Sequence, residues 1–312
     1  MSDARTVLIS ANPRSGARSG LEVARALQAE LERASFQVEL LTDIDAFTDR
    51  AKELHAARSL RTVVSAGGDG TASLILSKIP STIPVTLFPL GSENLLAKYF
   101  ARDCELSRTV QAIETMRTVP LDLFRANGQL TLLVTSVGYD ADVVRRVHEN
   151  RRSHITRWAY RAAILKSLAS YTWPLLEVEV KEQDGSWGRV GECHWLFAFN
   201  VPRYAAGIAI INDTPIDDGL IEVGMFEGGG LFQGMWNYGM VARGVHQQSK
   251  QWRQLRVSGV RVRQADLHRD KRTEKDNSKS PVVGYQIDGD WGGSLPLEIE
   301  FTGSKAQIVI DP

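Results

Sequence analysis

The sequence predicts an α/β N-terminal domain with a parallel sheet flanked by helices, followed by a C-terminal, mainly antiparallel β-sandwich or barrel domain. Three observations lead there. Over the first 120 or so residues, short apolar β-branched runs alternate with helical apolar patterns, and strands joined through helices lie parallel. Beyond about Pro120 the pattern becomes strand after strand with few helices, the signature of a sandwich or barrel. The chain has 312 residues, 43% of them hydrophobic and 24% charged, which is enough for two cores of ordinary size. We place the domains at 1–124 and 125–301, with the junction between Thr118 and Leu130.

The elements follow in order. Val7, Leu8 and Ile9 begin a buried strand over Thr6 to Ser10, and Asn12-Pro13-Arg14-Ser15-Gly16 turns out of it. A helix follows with Leu21, Ala24, Leu27 and Leu31 on one face. Val38 to Leu41, Thr62 to Ala66 and Val85 to Phe88 are further strands, Ala46 to Ala57 is a helix, and Leu95, Leu96 and Phe100 mark another. Later strands are expected at Leu121 to Arg125, Leu130 to Val137, Leu175 to Glu182, Trp195 to Asn200, Leu220 to Phe226, Leu255 to Val262 and Val282 to Asp288. Gln264 to Ser280 is charged and nearly free of apolar residues, so it reads as a flexible loop.

Charge and cysteines narrow the function classes. With 37 basic and 37 acidic residues, nothing in the bulk charge suggests a nucleic-acid partner. Cys104 and Cys193 are too few for a disulfide framework and too distant for a metal knuckle, which makes a reducing cytoplasm the expected compartment. Met1 to Arg5 runs straight into the first strand, and no apolar run reaches membrane-spanning length. Any contact with a membrane is therefore expected from its surface.

The stretch with most chemistry is Ser65 to Ile79. A strand runs into Gly67-Gly68-Asp69-Gly70-Thr71 and then into a helix. Glycines let backbone N–H groups approach a ligand, and the helix start adds positive potential, so the turn suits a phosphate. Asp69 would repel that phosphate unless a cation lay between them, which points to Mg²⁺. The plain alternative is a tight turn with an exposed Asp.

Taken together, NPRSG at 12–16, GGDGT at 67–71, PLGSEN at 89–94, SVGYDADV at 136–143, DDGLIEV at 217–223 and IDGD at 287–290 resemble the diacylglycerol kinase catalytic-domain family, which includes sphingosine and ceramide kinases. The resemblance spans most of the chain. It implies a nucleotide domain, a β-rich lipid-binding domain, a C-terminal segment of about 302–312 returning to the first domain, and ATP between the two. It further implies transfer of the ATP γ-phosphoryl group to a lipid hydroxyl, with Mg²⁺ neutralising the phosphates. By motif position Asn12, Ser15, Gly67, Gly68, Asp69, Gly70, Thr71, Ser92 and Asn94 would bind nucleotide. Asp288 would be the general base, with Asp69 and Asp290 acting beside it; Asp290 stands where Glu is usual. Asp69 and Asp122 would belong to a metal network, while Asp218 and Leu220 match a structural Mg²⁺ site. Two departures stand out: Leu95 follows the Asn where bacterial members often carry Asp, and Pro215 occupies the first metal-ligand position, which weakens that site unless Asp213 or Asp217 substitutes.

Simpler readings accompany these. Asp288-Gly289 and Asp218-Gly219 are also common turn sequences. His148, His154, His194 and His246 show no shared ligand spacing. The basic, aromatic stretch from Arg145 to Lys166 reads as an amphipathic helix that covers the β domain or docks a membrane through Arg152, Arg157 and Arg161. An NAD kinase, which shares GGDG, is the competing enzyme, and a catalytically silent lipid-binding module is the competing class. A lipid substrate at a membrane surface is the expected partner, and a homodimer is possible.

Overall fold

A computed structural model describes residues 4–11, 20–149, 164, 166–168, 170–182, 184–204, 208–212, 214–265 and 282–312. The chain divides into two compact units, Met1–Leu123 with Ile216–Asp218 and Thr302–Pro312, and Phe124–Pro215 with Gly219–Phe301.

The first unit is the α/β one. Strands β1 (Thr6–Ala11), β2 (Gln37–Leu41), β3 (Leu60–Gly67) and β4 (Pro84–Pro89) are connected through helices α1 (Gly20–Arg33), α2 (Ile44–Ala56) and α3 (Asp69–Lys78). They pair in parallel in the order β2-β1-β3-β4. Two short helices, α4 (Leu95–Tyr99) and α5 (Leu106–Thr115), precede strand β5 (Thr118–Ala126). The periodicity of α1 has a direct cause: Ala24, Leu27 and Leu31 pack on Val7, Ile9, Val64 and Phe88. Asp43 starts α2 by accepting the N–H groups of Asp45 and Ala46 at 3.1 and 2.8 Å. Gln307–Val309 joins this sheet parallel to β4. The buried Arg102 guanidinium, together with Arg108, grips the Asp311 carboxylate, and Ile310 N donates to Arg117 O at 2.9 Å.

The second unit is a β-sandwich. One sheet orders β12 (Trp252–Val257), β11 (Ile221–Phe226), β10 (Trp195–Phe199), β7 (Val134–Gly138), β14 (Gly284–Ile287) and β15 (Asp290–Ser294), every pair antiparallel. The other is built from the start of β16 (Leu297–Val309), β13 (Gly259–Gln264), β8 (Leu176–Lys181) and β9 (Trp187–Cys193). Val137, Leu196, Val223 and Met225 from the first face Val178, Val260, Val262 and Ile299 from the second in one core. Helices α6 (Tyr139–Glu149) and α7 (Leu231–Ala242) also belong to this unit.

Two expected strands are each two. Leu130 to Val137 breaks into β6 (Gln129–Thr131) and β7 because the N–H groups of Leu132, Leu133 and Val134 turn to a side-chain carboxylate, that of Asp288. Leu255 to Val262 breaks at Ser258 into β12 and β13, which lie in different sheets. Apolar residues run on through the first break, which periodicity does not mark; at the second the alternation of Leu255 and Val257 resumes out of phase at Val260 and Val262, the sequence trace of the change of sheet. The 264–280 loop beyond Ala265 and the greater part of 145–166, including Arg152, Arg157 and Arg161, lie outside the described residues.

Candidate active site

In the α/β unit the glycine turn follows β3 and opens α3. Thr71 N and Ala72 N both donate to Gly68 O, at 3.0 and 3.2 Å, so the turn passes directly into the helix. The second loop, Pro89 to Asn94, is pressed against it: Leu90 N donates to Gly67 O at 3.0 Å. A Cβ on Gly91 would come within 2.6 Å of Gly68 Cα, so only glycine allows this approach. Asn94, at φ 50°, ties its loop by accepting Gly91 N at 3.0 Å and donating to Gly91 O at 2.7 Å. Asp69 is more than an exposed turn residue. Its two oxygens accept Leu95 N at 2.9 Å and Leu96 N at 3.0 Å, which caps α4 from the neighbouring loop. Gly67, Gly68, Asp69, Gly70, Thr71, Ser92 and Asn94 are thus brought together at the carboxyl ends of β3 and β4, where ligands bind in open parallel sheets. Ser92 is exposed and Thr71 buried. Asn12 and Ser15 lie outside the described residues.

Asp122 is fully buried on β5. Lys305 Nζ lies 3.9 Å from its Oδ1 and donates to Asp217 O at 2.6 Å. Pro215 contributes no carboxylate to this neighbourhood, and Asp217 and Asp218 are exposed. Among the described residues no three His, Cys, Asp or Glu side chains converge tightly enough to hold a metal ion by themselves. Asp213 lies outside the described residues.

In the β unit, Asp288 and Gly289 are the central residues of the two-residue turn joining β14 to β15, with φ 51° and 91° and Ile287 paired to Asp290. Positive φ at both positions is the type I′ arrangement that favours Asp-Gly. The Asp288 side chain reaches back to the bend before β7. Oδ2 accepts Leu132 N at 2.8 Å, and Oδ1 accepts Leu133 N at 2.8 Å and Val134 N at 3.0 Å. Asp290 is exposed at the start of β15.

A buried acid that sequence reasoning left without a role stands close by. Asp140, at the start of α6, accepts from the Ser136 hydroxyl, from the Tyr204 hydroxyl and from Gln286 Nε2. Gln286 also accepts Gly289 N at 2.7 Å, which links this cluster to the Asp288 turn. Burial pushes the Asp140 carboxyl up from its ordinary range, against the opposing pull of those three donors. Two residues on, burial acts on Asp142 in the same sense. There the Ser167 hydroxyl and the guanidinium groups of Arg145 and Arg146 outweigh it and hold the carboxyl low. Neighbouring carboxylates pushed in opposite directions are a common feature of sites that handle protons. In the sequence the two acids stand in SVGYDADV at 136–143, a motif that by itself gives neither of them a role.

The two acids carry opposite consequences for stability. Asp142 contributes stability that is lost as pH falls. Asp140 favours its protonated form in the fold, so stability declines as pH rises from about 3.9, the unfolded value, through the raised native one. Asp140→Asn should abolish that decline. Denaturation midpoints of the two proteins should diverge progressively in the variant's favour with rising pH; parallel curves would show that Asp140 is ionised in the fold.

Residues 6–126 match the diacylglycerol kinase catalytic domain, and residues 133–310 match the YegS C-terminal NAD kinase beta sandwich-like domain. Fold and matches together define the class: an NAD kinase-like lipid kinase architecture. The chain belongs to the diacylglycerol kinase catalytic-domain family. Three solved structures from Bacillus anthracis str. Sterne share the fold. A candidate diacylglycerol kinase is 16% identical with a TM-score of 0.70, over 100% of this chain and 97% of that one. A diacylglycerol kinase is 16% identical with a TM-score of 0.63, over 99% and 97%. A further candidate is 17% identical with a TM-score of 0.65, over 99% and 98%. No curated protein matches the sequence.

Proposed function

We propose that the chain is an ATP-dependent lipid kinase that transfers the γ-phosphoryl group to a lipid hydroxyl of the diacylglycerol or sphingosine type. The observation that carries this is the pair of glycine loops in the α/β unit, pressed backbone to backbone at Gly68 and Gly91 beside Asp69. Phosphoryl transfer needs mainly positioned phosphates, neutralised charge and an oriented hydroxyl, and loops of this kind supply the first. Asn12, Ser15, Thr71, Ser92 and Asn94 are the further residues we assign to nucleotide. Mg²⁺ suits this site when it arrives with the phosphates, because it is usually held by one or two carboxylates and phosphate oxygens; Asp69 is the carboxylate in the glycine turn that we assign to it. When bound, the ion would neutralise the charge of the transferred group. Asp288 is assigned as the base that accepts the hydroxyl proton, with Asp290 beside it.

At the structural Mg²⁺ site expected from Asp218 and Leu220, a proline stands at 215 where a carboxylate ligand would be needed, so we read that site as weakened. Beside Asp122, the Lys305 ammonium lies 3.9 Å from Oδ1. We read Lys305 as the counter-charge to Asp122. Removing one partner of a buried pair costs several kcal/mol, less when the other is partly exposed as Lys305 is, so Lys305→Met should cost about 1–3 kcal/mol. The wild-type midpoint should be unmoved by a chelator. A midpoint that falls on chelation and recovers with Mg²⁺ would restore the metal.

The test of the activity is transfer from labelled ATP, with Mg²⁺, to diacylglycerol, monoacylglycerol, phosphatidylglycerol, sphingosine and ceramide in mixed micelles, with NAD⁺ alongside. Label in one lipid is expected and would name the substrate. Label in NAD⁺ would replace the lipid kinase by an NAD kinase, and ATP binding without transfer to any acceptor would favour a silent lipid-binding module.

A further inference from the structure

Helix α7 carries its apolar side chains outward. Seven large hydrophobic side chains are exposed among the described residues, and four of them lie here: Leu231 at 43%, Phe232 at 82%, Met235 at 42% and Trp236 at 65%. At 3.6 residues per turn these four share one side of the helix with Arg243, which follows its last residue. The opposite side holds Gly234, Asn237 and Val241, all buried. That inner side is fixed against an aromatic cluster. A Cβ on Gly234 would fall 1.9 Å from Trp173, Trp173 stacks on Tyr139 at 5.2 Å, and Tyr238 meets Tyr139 edge-on at 6.5 Å. Phe232 and Trp236 cannot be buried by rolling the helix, because its other face is already occupied.

The sequence from Gly228 to Ala265 carries charge of one sign, with the exposed Glu227 directly before it. It contains no Asp or Glu, yet it contains Arg243, Lys250, Arg253, Arg256, Arg261 and Arg263, in a chain whose formal charge is zero. Arg256, Arg261 and Arg263 pair with glutamates on the strands, and Arg253 donates to Val190 O at 2.7 Å. Arg243 and Lys250 are both exposed, one directly after the helix and one beyond the following turn. A Phe and a Trp facing outward with an arginine on the same side of the helix match an anionic bilayer surface, where rings enter the headgroup boundary and basic groups meet phosphates.

We propose that α7 is the element by which this protein docks on an anionic membrane, lying in the interface plane with Phe232 and Trp236 inserted and Arg243 at the phosphates. The choice of a bilayer as occupant rests on the lipid kinase reading; the exposed face and its charge do not. The membrane contact expected from 145–166 lies outside the described residues, and α7 is a different segment.

The experiment uses the full chain and vesicles of phosphatidylcholine with and without phosphatidylglycerol, in a sedimentation assay. Wild type should bind the anionic vesicles, and Phe232→Glu with Trp236→Glu should weaken binding by about 10-fold or more, since two rings leave the interface and two like charges enter. Arg243→Glu should give a smaller loss that disappears at high salt. Both side chains of the double variant are exposed, so its melting midpoint and its turnover on lipid in detergent micelles should stay at wild-type values. Unchanged vesicle binding by the folded double variant would overturn the proposal. So would a wild-type dimer, seen by light scattering, that the double variant splits without change in vesicle affinity, since the face would then belong to a second copy. Vesicle binding that depends on the two rings in a protein without turnover on any lipid would leave the docking face standing and remove the kinase.

Discussion

Asp288→Asn should lower the turnover number about 10²- to 10⁴-fold, the range for loss of a positioned general base. The amide is nevertheless a structural change. Both carboxylate oxygens accept backbone N–H groups from Leu132, Leu133 and Val134, so an amide nitrogen at either position must face a donor. A lost bond and an opposed donor cost about 1–3 kcal/mol of stability. Rates therefore need to be compared well below the melting midpoint of the variant. The two roles separate in the pH profile: wild-type turnover should fall on acidification as the base is protonated, and the residual turnover of the variant should not follow that fall. A variant that melts early but turns over at the wild-type rate when folded would leave Asp288 as an anchor of the bend and nothing more.

Asp69→Asn should lower turnover by at least about 10²-fold, which corresponds to roughly 3 kcal/mol of transition-state stabilisation lost with a charge partner of the metal. The same steric logic applies, because Leu95 N and Leu96 N occupy one oxygen each. Losing that cap would loosen α4 and add about 0.5–2 kcal/mol of instability. Titrating Mg²⁺ distinguishes the effects. If Asp69 helps to hold the metal with the phosphates, the variant should need more Mg²⁺ for half-maximal rate. A reduced rate at unchanged Mg²⁺ requirement would make Asp69 a cap only.

Much of this fold is legible in the sequence because local and long-range preferences agree. The parallel strands read as continuous β-branched runs since both faces are covered, and α1 shows its period because one side packs on β1 and β3. The glycine loops were legible for a similar reason, since a close backbone approach leaves no room for a side chain. Other features depend on partners distant in sequence. The break between β6 and β7 is made by a carboxylate more than 150 residues away. Helix α7 shows no inward apolar stripe: glycine and asparagine face the protein while Leu, Phe, Met and Trp face out, so no helix was expected there. Asp140 was visible as a residue but not as a site, because its character comes from burial beside Ser136, Tyr204 and Gln286.

The structural duty that Asp69 and Asp288 carry beside the catalytic one proposed for them bears on how such a chain would change by descent. Each carboxylate fastens backbone that the fold requires: Asp69 starts a helix, and Asp288 holds a bend against a turn. Selection for folding alone would keep both after selection for catalysis had lapsed. A lineage that lost its substrate would shed groups without a structural duty, such as exposed Ser92 if it serves only the proposed nucleotide, before it shed either aspartate. The two acids are therefore the last places where a retired member of the family would show its retirement.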